Sequence, residues 1–278
     1  MRKNQGGFSI VEILIVFVIL GVIGFIGWRI LDNPKQSDPQ VQNPNTNPIP
    51  DKLIWQQTAD GWRATETPPA CPSQPMLTPP TDLSKVTSML YPGQTRGGNY
   101  KPHGGFRFDN AADNAVMVTA PIDGFIVKGT QYLAEGENEI QYGFDIMNNC
   151  GIMYRVGHLR ELPANLQKIA DTFPAATTSS QNHPVNPVVF VKKGDTLATK
   201  VGIISNKNTF FDWGVYDFRQ TNEASKSPAY QSGHSQDKEL SWHAVCWLKD
   251  WLPASDAATI AKLPAGDPAS GKNSDYCK

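Results

Sequence analysis

Charge is scarce in this chain. Asp, Glu, Lys and Arg supply 18% of its 278 residues, where a globular protein usually carries about a quarter. The formal net charge is −1, so there is no electrostatic footprint for nucleic acid, and that partner is set aside. No G-x-S-x-G signature of a serine nucleophile occurs, and no repeat of fixed period. No paired C-x-x-C occurs either: Cys71, Cys150, Cys246 and Cys277 stand apart, which argues against zinc-finger and thioredoxin chemistry. Proline, in contrast, is plentiful at 22 residues, alongside Asn, Gln and Thr. Hydrophobic residues still reach 40%, which excludes disorder throughout, and the length suffices for one large or two small domains with a real core. Low charge with this composition reads as an exported, loop-rich protein.

Residues 1–30 read MRKNQGGFSIVEILIVFVILGVIGFIGWRI, with Glu12 the single charge between Phe8 and Trp28. As a helix this stretch spans about 30 Å, the thickness of a bilayer's hydrocarbon core. Arg2 and Lys3 ahead of it predict a single-pass cell-membrane protein with a cytoplasmic N-terminus and an extracytoplasmic C-terminal bulk. No small-x-small site follows Trp28, which argues against an ordinary secretory signal peptide. Gly21, Gly24 and Gly27 leave one helix face small enough for close packing, although glycine is common in membrane helices generally.

The short basic leader ends in Gly7, and Phe8, Ser9, Ile10, Val11 and Glu12 then open the apolar run. This resembles the type IV prepilin signal. The resemblance implies cleavage after Gly7, methylation of the new Phe8 terminus, and pilin or pseudopilin subunits as partners. Glu12 would pair with the free amine of a neighbouring subunit, which offsets the cost of a carboxylate in the membrane. The resemblance concerns delivery and says nothing of the remaining chain.

The organisation expected is a leader at 1–7, a transmembrane helix at 8–30 and a Pro/Asn/Gln-rich linker at 31–52. A β domain at 53–235 and a C-terminal extension at 236–278 follow. The linker has too few apolar residues to bury a core, so the fold should begin near Leu53 with Ile54, Trp55 and Trp62. Short β-type runs broken by Gly, Pro, Asn and Asp predict strands at 86–90, 115–120, 124–129, 139–147, 151–159, 187–191, 196–204 and 210–218. Strands without long intervening helices predict a mainly β, antiparallel domain. A helix is expected over 161–171, and a partly helical tail in which Ser255 or Asp256 caps a helix through Leu263. Four cysteines in an exported domain suggest two disulfides, with three pairings possible. Cys246–Cys277, stapling the tail, is favoured, which leaves Cys71–Cys150.

The segments YKPHGGFRFDN (100–110), VTAPIDGFIVKG (118–129), YGFDIMNNCGIMYRVGHL (142–159), VKKGDTLATKVG (191–202) and DWGVYD (212–217) follow one another in an informative order. In that order and spacing they resemble the lysostaphin/LytM-type zinc endopeptidases that cut peptidoglycan cross-bridges. The resemblance covers about 130 of the 278 residues and implies a barrel-sandwich-like β fold. His103 and Gly105 fit the family's first metal motif, but Arg107 stands where the ligand Asp should be. Asp109 lies two residues further on, a shift of nearly 7 Å along a strand, which a bulge or slipped register would have to recover. His158 fits the family's His-Leu position, where the imidazole assists the reaction without binding metal. Asp212 falls where the general-base His should be and Gly214 where the second ligand His should be. A catalytic zinc needs three protein ligands and an open position, and the matched positions supply one, His103. The expectation is therefore no cofactor and no zinc hydrolysis. His183, His234 and His243 lie in no spaced motif and read as surface or tail residues. Trp213, Tyr216, Tyr154 and Tyr142 should cluster on neighbouring strands, largely as sheet core.

The hairpins APIDGFIVKG and VKKGDTLA also look like those of biotinyl/lipoyl domains, but the Met-Lys dipeptide of such domains is absent. Three functions stand at this point. One is a tethered, catalytically degenerate LytM-like module that binds cell-wall peptide or an envelope partner. The others are an active zinc peptidoglycan endopeptidase with rearranged ligands, and a structural minor pilin or pseudopilin.

Overall fold

A computed structural model describes residues 50–277 apart from 75, 135–137 and 250. The leader, the expected transmembrane helix and nearly all of the linker lie outside the described residues. Among the described residues no helix is long and apolar enough to cross a membrane.

The chain first forms a hairpin, β1 (Trp55–Thr58) with β2 (Gly61–Ala64). After β3 (Ser88–Leu90), a small ribbon pairs β4 (Gln94–Arg96) with β5 (Asn99–Lys101). Then come β6 (Gly104–Arg107), β7 (Ala115–Thr119), β8 (Gly124–Leu133), β9 (Ile140–Met147) and β10 (Ile152–Glu161). The helix α1 (Ala164–Ala170) leads into β11 (His183–Val191), β12 (Thr196–Val201) and β13 (Phe210–Asp217). Short helices α2 (Pro228–Gly233), α3 (Lys238–Ser241) and α4 (Ala254–Lys262) complete the tail.

Nine strands make one antiparallel sheet in the order β11-β8-β9-β10-β13-β6-β3, with β12 bridging β10 and β7. The mainly β, antiparallel expectation therefore holds, with each expected strand found within a few residues. The barrel-like part of it does not. The described sheet stays open, with β11 and β3 at the ends of its path. The expected helix over 161–171 begins only at Ala164, because Pro163 takes the position before the first turn. Ser255 and Asp256 lie inside α4 behind Pro253, which makes no side-chain cap, so neither residue caps the helix.

Period-2 alternation explains what each face carries. Along β13, Phe211, Trp213 and Val215 enter the main core, joined by Ile152, Tyr154 and Val156 of β10. Tyr154 stacks on Trp213 at 5.5 Å between ring centroids. Tyr142 also joins this core, whereas Tyr216 packs in a second cluster with Met147, Met153, Phe125 and Ile54. The four aromatics are thus core residues divided between two clusters. Ile54 and Trp55 are buried, and Trp62 packs on Phe218 with 6.2 Å between centroids, so these apolar anchors belong to the described fold.

Both expected disulfides form. Cys71–Cys150 and Cys246–Cys277 close loops of 79 and 31 residues, and no described cysteine is free. The second ties down a tail that reaches back to the start of the sheet. Pro264 accepts from Met89 N–H, Gly266 N–H donates to Met89, and Gln94 donates to Asn273.

Candidate functional site

On the face of β13 that avoids the main core, Asp212 and Gly214 alternate with Tyr216. Their partners across β10 are Gly157, Arg155 and Met153, and beyond them Asp145 of β9 faces Arg155. Small residues at Gly143 and Gly157 lower the floor between taller side chains. The result is a cavity of about 440 Å³, with Lys101, His103, Thr130, Arg155, His158 and Asp212 in its lining.

Three of the residues expected at the site meet here. Asp212 Oδ2 lies 3.1 Å from His103 Nε2 and 3.3 Å from His158 Nε2, so one carboxylate oxygen is held between two imidazoles. Each arrives by a different route. His103 precedes β6, and its backbone is held by Arg96 Nη2, which donates to its carbonyl at 3.1 Å. The tail helps, since Tyr276 Oη donates to the Pro102 carbonyl at 3.1 Å. His158 sits where β10 leaves β13 and turns to β12: pairing with β13 ends at Gly157↔Asp212, and pairing with β12 begins at Leu159↔Val201. The ladder with β9 shifts register at the same point, and His158 adopts φ 60°. A left-handed histidine at a bulge is a sparsely populated conformation that re-aims one side chain out of the ladder.

His158 is also held from behind. Gln141 is fully buried and donates from Nε2 to the Gly202 carbonyl at 2.8 Å, which turns its Oε1 toward His158 Nδ1. Tyr132 Oη donates to Gln141 Oε1 at 3.1 Å and lies 3.1 Å from His158 Nδ1. Both ring nitrogens of His158 thus face oxygen atoms, Nε2 that of Asp212 and Nδ1 those of Gln141 and Tyr132. Burial works against a charged Asp212, but the two imidazoles outweigh it and hold this carboxyl well below the usual carboxylate range. Burial pushes His103 down, against the attraction of Asp212, so the neutral ring is favoured. Its Nδ1 is buried with no hydrogen-bond partner. Burial pushes the Tyr132 hydroxyl up, so it stays protonated.

The remaining expected metal positions do not join the cluster. Asp109 accepts from Thr87 Oγ1 at 2.7 Å and lies 3.4 Å from Arg107 Nη2. The β6–β13 ladder runs Phe210↔Arg107, Phe211↔Phe106, Asp212↔Gly105 and Trp213↔Gly104 in regular register. The bulge that would have returned Asp109 toward His103 is absent from that ladder, and about 20 Å of extended chain separates the two. Gly214 offers no ligand, and a Cβ there would strike the Tyr216 hydroxyl and crowd His103 Cβ at 3.0 Å. Both Nε2 atoms are turned to Asp212. Among the described residues no group of three His, Cys, Asp or Glu is arranged to hold a metal.

Other residues of the site escaped the sequence. Arg155, Thr130, Tyr132 and Gln141 belong to it through strand register. Alternation from Gly157 back to Arg155 was a usable signal for the first, while Tyr132↔Gln141 is a long-range pairing of β8 with β9 that no local pattern announces. The other three histidines lie apart from the cluster: His234 stacks on Tyr100 at 3.8 Å, His243 Nδ1 lies 2.7 Å from the Gln220 carbonyl, and His183 pairs with Gly129 in β11.

Comparison with known proteins bears on the other end of the chain. No curated protein and no solved structure matches it. Residues 2–27 match the prokaryotic N-terminal methylation motif, so the chain opens on a signal of the type IV prepilin kind, the one carried by Gly7, Phe8 and Glu12.

Proposed function

We propose that this is a membrane-anchored, pilin-like protein whose exported domain is a metal-free relative of the lysostaphin/LytM-type peptidases and binds cell-wall peptide in its groove. Delivery rests on the methylation motif at residues 2–27. The observation that carries the binding reading is Asp212 held between His103 and His158 at the base of an open, polar cavity. In a hydrolase of this class the corresponding space holds an ion and its activated water. Here a carboxylate fills it and ties both imidazoles in place. What is left is a rigid groove with hydrogen-bonding walls, the kind of surface that grips an extended peptide without cutting it.

The test is co-sedimentation of the detergent-solubilised full chain with insoluble peptidoglycan. Retention in the pellet, reduced by Tyr132→Ala at the cavity wall, is expected. A chain that stays in the supernatant contradicts the reading. Incorporation into a filament is a separate property suggested by the methylation motif, and Glu12→Ala tests it: loss of the protein from sheared pilus fractions is the outcome expected of a minor pilin.

A further inference from the structure

The groove holds donors that nothing in the protein answers. Lys101 lines it from the end of β5, and among the described residues its ammonium makes no ion pair or hydrogen bond. Arg155 lines it from β10. Its Nε lies 3.3 Å from Asp145 Oδ1, and among the described residues its two Nη groups have no acceptor. Thr130 is only 4% exposed, and its Oγ1 has no partner. On the acceptor side, Asp212 is the one carboxylate among the lining residues described, and both imidazoles already face it. Lys101 and Arg155 bring two positive charges; Asp145 pairs with Arg155 and Asp212 lies between the two imidazoles, so the Lys101 ammonium is the lining cation that faces no carboxylate partner. Desolvated donors without acceptors cost free energy that an incoming anion returns, and a guanidinium presents its paired N–H groups in the geometry of a carboxylate.

We propose that this cavity contains a carboxylate subsite, in which Lys101, Arg155 and Thr130 Oγ1 receive a carboxylate of the bound peptide. The inference rests on the peptide-binding reading above and adds which group of the peptide is recognised. Thr130→Val removes an unpartnered hydroxyl at nearly constant volume, and Lys101→Gln removes a cation with no protein partner, so both variants should fold.

The experiment measures binding to the full chain in detergent micelles of three probes: acetyl-Lys-D-Ala-D-Ala as the free acid, the same peptide as its C-terminal amide, and the amide of acetyl-Lys-D-Glu-D-Ala. The free acid should bind about tenfold or more tightly than its amide, the worth of a charge-assisted hydrogen bond. Lys101→Gln and Thr130→Val should each shrink that preference. Recovery of affinity by the D-Glu amide would support the subsite and identify a side-chain source. Equal binding of acid and amide would overturn the subsite while leaving peptide binding intact, as would a preference unchanged in both variants. Binding of none of the three would overturn the peptide reading and the subsite with it.

Discussion

Asp212 Oδ2 lies 3.1 Å from His103 Nε2. The carboxylate belongs to β13 and the imidazole to the turn before β6, two elements joined by an unbroken ladder. The contact is therefore built into the sheet.

Burial of this pair makes stability depend on pH. The folded value of Asp212 is depressed, so its contribution is fully present above about 3.9, the unfolded value, and lost as pH falls through the folded value. The folded value of His103 is depressed too. On acidification the unfolded chain protonates first, near pH 6.5, and stability declines from there toward the folded value. Both groups act in the same direction. Urea midpoints measured from pH 8 to pH 4 should fall below about pH 6.5, and His103→Gln should flatten the upper part of that decline.

Asp212→Asn leaves imidazole donors facing an uncharged amide in a mostly buried site. A loss of about 1–3 kcal/mol is expected, read from the urea midpoint at pH 7. An unchanged midpoint would mean that the three side chains do not interact in solution.

Gly214 has its own test. The absent Cβ leaves room for the Tyr216 hydroxyl and for His103, so Gly214→Ala overpacks this spot and should cost about 1–3 kcal/mol. Tyr216→Phe removes a buried hydroxyl that has no partner and should be neutral or stabilising alone. It should also restore part of the loss in the double variant.

The Cys246–Cys277 bridge closes a 31-residue loop, worth about 3–4 kcal/mol in the chain-entropy account. The tail it secures carries Tyr276, whose hydroxyl holds the backbone beside His103. Cys277→Ser should lower the thermal midpoint and weaken peptide binding, whereas Tyr276→Phe should weaken binding with a smaller loss of stability. Peptide mapping under non-reducing conditions checks both bridges, and four free thiols after export would refute them.

Processing should leave Phe8 as the N-terminus. Mass spectrometry of the membrane form should find a methylated Phe8, in keeping with the methylation motif at residues 2–27. An intact Met1, or a cut beyond Trp28, would contradict it.

Much of the fold was legible because period-2 patterning and turn residues are local signals. The alternation of Phe211, Trp213 and Val215 with Asp212, Gly214 and Tyr216 assigns the faces of β13 before any partner strand is known. Cys246–Cys277 was the favoured one of three pairings that the four cysteines left open, and it forms. The site was legible in part. His103, His158 and Asp212 stood out as motif positions, yet no motif shows that they touch. Their contact depends on the bulge at His158 and on the β6–β13 register, which are properties of distant pairings. Asp109 illustrates the converse: two residues from the expected position, it faces Thr87 instead, because a regular ladder gives it no way back. Thr130 and Gln141 carry no signature, since unremarkable polar residues become functional only through burial.

The most direct test of a metal-free binding groove is the zinc content of the purified full chain after equilibration with zinc and dialysis, followed by a peptidoglycan gel. The account predicts far less than one zinc per chain and no cleared zone. One zinc per chain, lost in His103→Ala, with a cleared zone that a chelator abolishes, would contradict it and make His103, His158 and Asp212 the rearranged ligands of a working endopeptidase.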